Sequence, residues 1–126
     1  MTKERKNTFT KKERIYKRKM IYFLSKNGKQ IPNKDKIINI KYIFIPQICD
    51  IATTQILIIV PKKNIKLATK RNKIKRMIRE IYRVNKHLFP QKNNCTLLIM
   101  FAYIANVVHN YNNIKSDILQ QIPNIS

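Results

Sequence analysis

QILIIVPKKNIKLATKRNKIKRMIREIYRVNKHLFP, residues 55–90, changes its hydrophobic period partway along, and that change decides the fold. Gln55 to Val60 form a nearly unbroken β-branched run, as in a strand buried on both faces. Pro61 ends it, because proline has no N–H to offer a sheet ladder. After the polar PKKNIK the period becomes helical. At 100° per residue Leu67, Ile74, Met77, Ile78, Ile81 and Leu88 fall in a stripe about 100° wide, which predicts a helix lying on a sheet. The run CTLLIMFAY at 95–103 then repeats the buried-strand composition.

Upstream, Thr10 stands three residues before Glu13, a capping-box spacing, and Ile15, Ile21 and Leu24 follow before Asn27-Gly28, so a helix is expected over about 11–26. Residues 29–36, with Pro32, read as a loop. Ile38, Ile40, Tyr42 and Phe44 alternate with Asn39, Lys41 and Ile43 up to Pro46, the pattern of a strand with one buried face. Pro46 to Ala52 connect this strand to the next. Downstream, 110–113 break the chain, and Ile114, Ile118 and Ile122 at four-residue spacing predict a short amphipathic helix closed by Pro123. The expected order is αββαβα: a basic arm at 1–8, one domain at 9–122 and a tail at 123–126.

The 126 residues carry 27 Lys and Arg against 6 Asp and Glu, a net charge of +21 with a pI near 10.3. Such an imbalance repels itself in a compact state and attracts nucleic acid or anionic lipid. Cys49 and Cys95 have neither C-x-x-C spacing nor a histidine cluster, since His87 and His109 stand apart, so a zinc site is not expected and two free thiols fit a reducing cytosol. MTKERKNTF has no apolar segment behind its cations, and the longest apolar run, 96–108, is shorter than the ~20 residues of a spanning helix. A soluble cytoplasmic protein is expected.

The charge is also sorted in space. Asn72, Arg76, Arg79 and Arg83 lie opposite the apolar stripe of the 68–90 helix, Lys75 and Lys86 flank them, and Glu80 is the one acid in the segment. Solvated helix faces usually mix signs; this one does not, which favours a phosphate backbone as partner. Arginine strengthens the reading, because its planar fork grips phosphate bidentately. No Ser/His/Asp set, carboxylate pair or metal-ligand cluster is visible, and six scattered acids do not suit a two-metal nuclease centre. A structural or ribosomal RNA-binding protein is the rival reading. A peripheral membrane helix is a second, although Ile74, Met77, Ile78 and Ile81 include no aromatic anchor.

The segment KLATKRNKIKRMIREIYR, preceded by VPKK, resembles the bacterial ribonuclease P protein component, whose pattern falls on Ala68, Arg71, Asn72, Lys75, Arg76 and Arg79. The continuation Glu-x-Tyr-Arg-x-Asn-Lys resembles the Bacteroidetes-like form. KKERI at 11–15 and Gly28-Lys29 resemble the ends of the family's first helix, so the likeness runs over about 9–122. It implies an α/β sandwich of the ribosomal protein S5 domain 2 type, with a left-handed βαβ crossover. It also implies a cytoplasmic ribonucleoprotein endonuclease in which the RNA subunit carries the chemistry and most of the Mg²⁺, with precursor tRNA as substrate and no membrane or further protein partner required. The residues expected to face RNA are Lys62, Lys63, Lys70, Arg71, Asn72, Lys75, Arg76, Arg79 and Arg83. A cleft between sheet and first helix would hold the single-stranded 5′ leader, with Tyr42, Phe44, Ile21 and Tyr22 as its expected lining and Tyr16 and Phe23 as further aromatics. This chain departs from the family in having Ile21 and Ser25 where aromatics are usual, and Pro61 in place of the serine before Lys62-Lys63.

Overall fold

Both apolar runs become neighbouring strands, as their composition requires. The structure, a computed structural model, describes residues 18–31, 37–46, 53–91 and 95–125. The elements are α1 (Arg18–Asn27), β1 (Lys29–Gln30), β2 (Ile38–Pro46), β3 (Thr53–Ile59), α2 (Ala68–Val84), β4 (Cys95–Tyr103) and α3 (Tyr111–Gln121). The expected capping box at Thr10 and Glu13, Tyr16, the 1–8 arm and the 47–52 connection lie outside the described residues.

The sheet order is β1-β2-β4-β3. β2 runs antiparallel to β4 along its whole length, from Ile38 opposite Tyr103 to Pro46 opposite Cys95. β3 runs parallel to β4, from Thr53 beside Thr96 to Ile59 beside Ala102, so α2 is the crossover between two adjacent parallel strands. The two-residue strand β1 replaces the start of the expected 29–36 loop: Lys29 and Gln30 pair with Tyr42 and Lys41. Two exposed polar residues are too few to show a period of two, which is why the pattern gave no sign of it.

Side-chain alternation sorts the sheet into two faces. Ile38, Ile40 and Tyr42 of β2, Ile56 of β3, and Leu97, Ile99, Phe101 and Tyr103 of β4 meet Ile74, Ile78 and Ile81 of α2 and Ile114 and Ile118 of α3 in the main core. The other face carries Leu98, packed with Leu24 of α1 and ringed by the half-buried Ile21, Ile43, Ile45, Leu57 and Met100. The two-layer sandwich of sheet against α2 and α3 thus gains a partial third layer in α1. Apolar residues on both faces explain why QILIIV and CTLLIMFAY do not alternate.

The apolar stripe of α2 is narrower than expected. Ile74, Ile78 and Ile81 are fully buried, but Leu67 is 58% and Leu88 47% exposed. Leu67 precedes the helix in extended backbone, and the helix ends at Val84, after which Lys86–Leu88 form a 3₁₀ turn with a tighter rotation per residue. Tyr82 and Phe89 occupy the core instead, stacked edge-on at 5.3 Å, and Phe89 meets Phe101 at 6.3 Å. Beyond α3 a 3₁₀ turn at Ile122–Asn124 brings Ile125 into the core, so the expected tail packs as far as it is described.

At the end of β2 beyond β1, α3 acts as a substitute strand. The buried Asp117 carboxylate accepts the Ile38 amide at 2.9 Å, and Gln121 Nε2 donates to the Ile38 carbonyl at 3.0 Å. An i, i+4 pair on one helix thereby satisfies both backbone groups of an edge residue.

Candidate nucleic-acid interface

α2 buries one side on the sheet and turns its cations outward. Lys70, Asn72, Lys73 and Arg76 are exposed, and Arg71, Lys75, Arg79 and Arg83 are half-buried beside them. Asn72, Lys75, Arg76, Arg79 and Arg83 thus lie on the outer side of the helix, as their phase predicts, while Lys70 and Arg71 are accessible in its first turn, where the apolar stripe has not yet reached the sheet. Lys73 and Lys66, exposed on the same helix and on the loop before it, extend this surface and were not among the expected contacts. In a lysine-rich chain nothing in residue type singles them out.

The cations are not equivalent. Arg71 folds back, its Nη1 donating to the carbonyls of Ile65 at 3.0 Å and Lys66 at 2.8 Å, so it braces the entry to α2, where Leu67 supplies no side-chain cap. Arg83 is held by Glu80, with Nε to Oε1 at 3.1 Å and a second contact from Nη2 to Oε2. That hydrogen bond keeps the Glu80 carboxyl below its ordinary range and raises Arg83 above its own. Lys86 lies over the Tyr82 ring at 5.9 Å. Arg76 and Lys70 stand in solvent at the helix surface.

Lys62 and Lys63 occupy an exposed turn whose shape is set by backbone bonds. The Pro61 carbonyl accepts from the Asn64 and Ile65 amides, both at 3.1 Å, so the proline that gives up a donor still anchors the turn as an acceptor. Asn64 Nδ2 then donates to the Tyr103 carbonyl at 3.0 Å and ties the turn to the end of β4. Both lysines are thus presented by fixed backbone at the start of the α2 surface.

The expected leader cleft requires correction. Tyr42 and Phe44 lie on the sheet face that carries α2 and α3, whereas Ile21, on α1, packs against the opposite face. Tyr42 is only 5% exposed; its ring meets Phe44 edge-on at 6.3 Å and its hydroxyl donates to the Asn124 carbonyl at 3.4 Å. Tyr22 points off α1 into solvent, 63% exposed, with Lys26 Nζ 5.5 Å from its ring centre. The four residues therefore line no common cleft. Strand alternation shows which residues share a face, but β2 has Ile43 and Ile45 on the other face too, so alternation alone does not say which side α1 covers. The half-open surface beside α1 is aliphatic, with Ile21, Ile43, Ile45, Leu57 and Met100 around Leu98. Lys41 supplies its cation and donates to the Ser25 carbonyl at 2.9 Å.

Among the described residues no three His, Cys, Asp or Glu side chains gather as metal ligands, and no helix is long and apolar enough to cross a membrane.

The model of one protein family, Ribonuclease P, matches residues 6–121. A ribonuclease P protein component from Porphyromonas gingivalis is 32% identical over 68 residues, 52% of this chain and 50% of that protein. One from Petrotoga mobilis is 43% identical over 84 residues, 66% of this chain and 64% of that protein. The matched region thus spans about half the length of the first relative and under two thirds of the second. Among solved structures, the RNase P protein from Thermotoga maritima superposes with a TM-score of 0.71 at 24% identity, covering 90% of this chain and 98% of that one. The Staphylococcus aureus RNase P protein gives 0.66 at 22% identity, covering 88% and 93%. At these identities the structural likeness speaks for the fold.

Proposed function

Because the chain belongs to the ribonuclease P family, we propose that it is the protein subunit of a ribonucleoprotein endonuclease that removes the 5′ leader from precursor tRNA, the RNA subunit performing the phosphodiester hydrolysis. The observation that carries this reading is the sign-segregated surface of α2, with Lys70, Arg76 and their neighbours outward over a buried isoleucine stripe. Such a surface binds phosphates through charge and counterion release while reading little sequence. Its role is to dock on the RNA subunit and to screen the repulsion between two polyanions, which eases Mg²⁺ binding by the RNA.

The leader belongs on the open sheet face beside α1. Ile43, Ile45, Leu57 and Met100 offer apolar contact there and Lys41 a phosphate contact, in place of the aromatic pair on β2. The test is reconstitution with the ribonuclease P RNA of the same genome, assaying precursor tRNA cleavage at low Mg²⁺. Stimulation is expected. A protein that binds the RNA without stimulating cleavage would instead be a structural RNA-binding protein, and the proposal would fall.

A further inference from the structure

Because β3 and β4 are parallel, their C-terminal ends, Ile59 and Tyr103, lie at the same end of the sheet. Two loops leave from there, 60–67 into α2 and 104–110 into α3. In sheets with parallel strands this end, beyond the strand carboxyl termini, is where ligands commonly bind. The first loop contains the lysine turn. The second has no place in the function described above, yet the fold fixes it firmly beside the first.

The fixing element is Tyr103, whose side chain is fully buried. Its carbonyl accepts from Asn64 of the lysine loop at 3.0 Å. Its hydroxyl donates to the Val107 carbonyl at 2.7 Å and accepts the His109 amide at 3.1 Å. The Ile104 amide, donating to the Ile37 carbonyl at 2.8 Å, holds the start of the second loop. One residue thus sets two loops in fixed relation, the kind of preorganisation a composite binding surface needs.

The surface has a definite chemistry. Lys62, Lys63 and Lys66 are exposed on the first loop, and neither loop contains an acid. Leu67 on one loop and Val107, 61% exposed, on the other are the large apolar side chains they turn to solvent. Isolated apolar points among lysines are a poor match for a protein partner, whose interface core excludes charge. They suit an unpaired nucleotide, which offers an apolar base face beside a phosphate. Resting on the RNA-subunit reading above, we propose that loop 104–110 is a second RNA contact, where Val107 and Leu67 meet an unpaired nucleotide whose flanking phosphates lie against Lys62, Lys63 and Lys66.

The test places a photoreactive phenylalanine analogue at position 107, and separately at position 66, in the full chain assembled with the RNA subunit and precursor tRNA. RNA crosslinks from both positions are expected, with the 107 adduct mapping to an unpaired nucleotide; the mapped strand tells whether it belongs to the RNA subunit or the precursor. A crosslink from 66 but none from 107, or a 107 adduct within a duplex, overturns the inference. Silence at both positions overturns it too, and the cleavage assay then reports separately whether the broader reading stands. As a second arm, Tyr103→Phe keeps the ring but frees the loop. It should reduce RNA affinity by roughly three- to tenfold, because the two hydroxyl hydrogen bonds that hold the loop, to Val107 and from His109, are lost, and lower the 107 crosslink yield, while the salt slope stays unchanged because no phosphate contact is lost. Unchanged affinity and crosslink yield in Tyr103→Phe would remove Tyr103 as the positioning residue and count against a fixed composite surface.

Discussion

Replacing Lys70 and Arg76 with alanine removes two exposed cations that stand in solvent on α2, so the double substitution should separate RNA binding from folding. On a duplex each phosphate contact contributes about 0.9 to the slope of log affinity against log salt, so losing two should flatten that slope by about 1.8. Relative to a 1 M reference, 0.15 M salt lies about 0.8 log units lower, so each contact is worth about 0.7 log units there and the pair about 30-fold in affinity. Surface changes of this kind usually alter stability by no more than about 0.5 kcal/mol, or roughly 2 °C in Tm for a chain of this size. The assay is RNA-subunit affinity by filter binding from 50 to 500 mM salt, with a thermal melt of the free protein alongside. A preserved slope together with a Tm lowered by many degrees would refute the reasoning, because it would make these side chains part of the fold rather than of an interface.

Arg71→Ala should instead lower both the slope and the Tm, since Arg71 also braces the carbonyls of Ile65 and Lys66. Glu80→Gln releases Arg83 and should raise RNA affinity at 0.15 M salt by up to about fivefold, one contact's worth. Since Arg83 lowers the Glu80 carboxyl, the pair's contribution is present above the ordinary carboxylate range and lost as pH falls through the lowered value, so wild type should approach the variant's affinity only in acid. Gly28→Ala would place a Cβ 2.6 Å from both the Leu24 carbonyl oxygen and Lys41 Cγ, and should lower stability by about 1–3 kcal/mol in denaturant melts. Burial raises the Tyr103 phenol, so its contribution is complete below the ordinary tyrosine value of 10.0 and is lost as pH rises through the higher folded value; Tyr103→Phe should flatten the alkaline fall in Tm. Tyr42→Leu and Phe44→Leu should lower Tm while leaving the ratio of precursor to mature tRNA affinity unchanged, and a selective loss for precursor would restore them to the leader site.

What the sequence made legible follows from how many residues carry each signal. The change from a β-branched run to a 3.6-residue period across 55–90 needs some thirty residues to be wrong together before it misleads, and β3 (Thr53–Ile59) and α2 (Ala68–Val84) form there, although α2 stops short of the expected 90. α3 is anchored as its isoleucine spacing predicts, with Ile114 and Ile118 in the core. β1 was invisible because two polar residues have no period. The resemblance places Tyr42 and Phe44 in a cleft under the first helix, but which face of the sheet that helix covers depends on where it docks, and that is tertiary information. The divided roles of the arginines were equally hidden: Arg71, Arg76 and Arg83 are the same residue type, and Arg76 and Arg83 share nearly one helical phase, but they differ in whether a carbonyl, solvent or a carboxylate lies within reach.

The same division explains how so basic a helix survives. Within α2 the pairs Lys70–Lys73, Arg71–Lys75, Lys73–Arg76, Lys75–Arg79, Arg76–Arg79 and Arg79–Arg83 sit three or four apart, and at roughly 0.2–0.5 kcal/mol each their repulsion amounts to about 1–3 kcal/mol. Burying Ile74, Ile78 and Ile81 completely contributes about 1.5–3 kcal/mol apiece, which exceeds that repulsion even at the low end. The inner face therefore fixes the helix by a margin the outer face cannot cancel, and the outer residues are free to be chosen for a partner. Bringing phosphates to that surface removes the repulsion, so RNA binding should raise the apparent stability of the protein as well as form the complex.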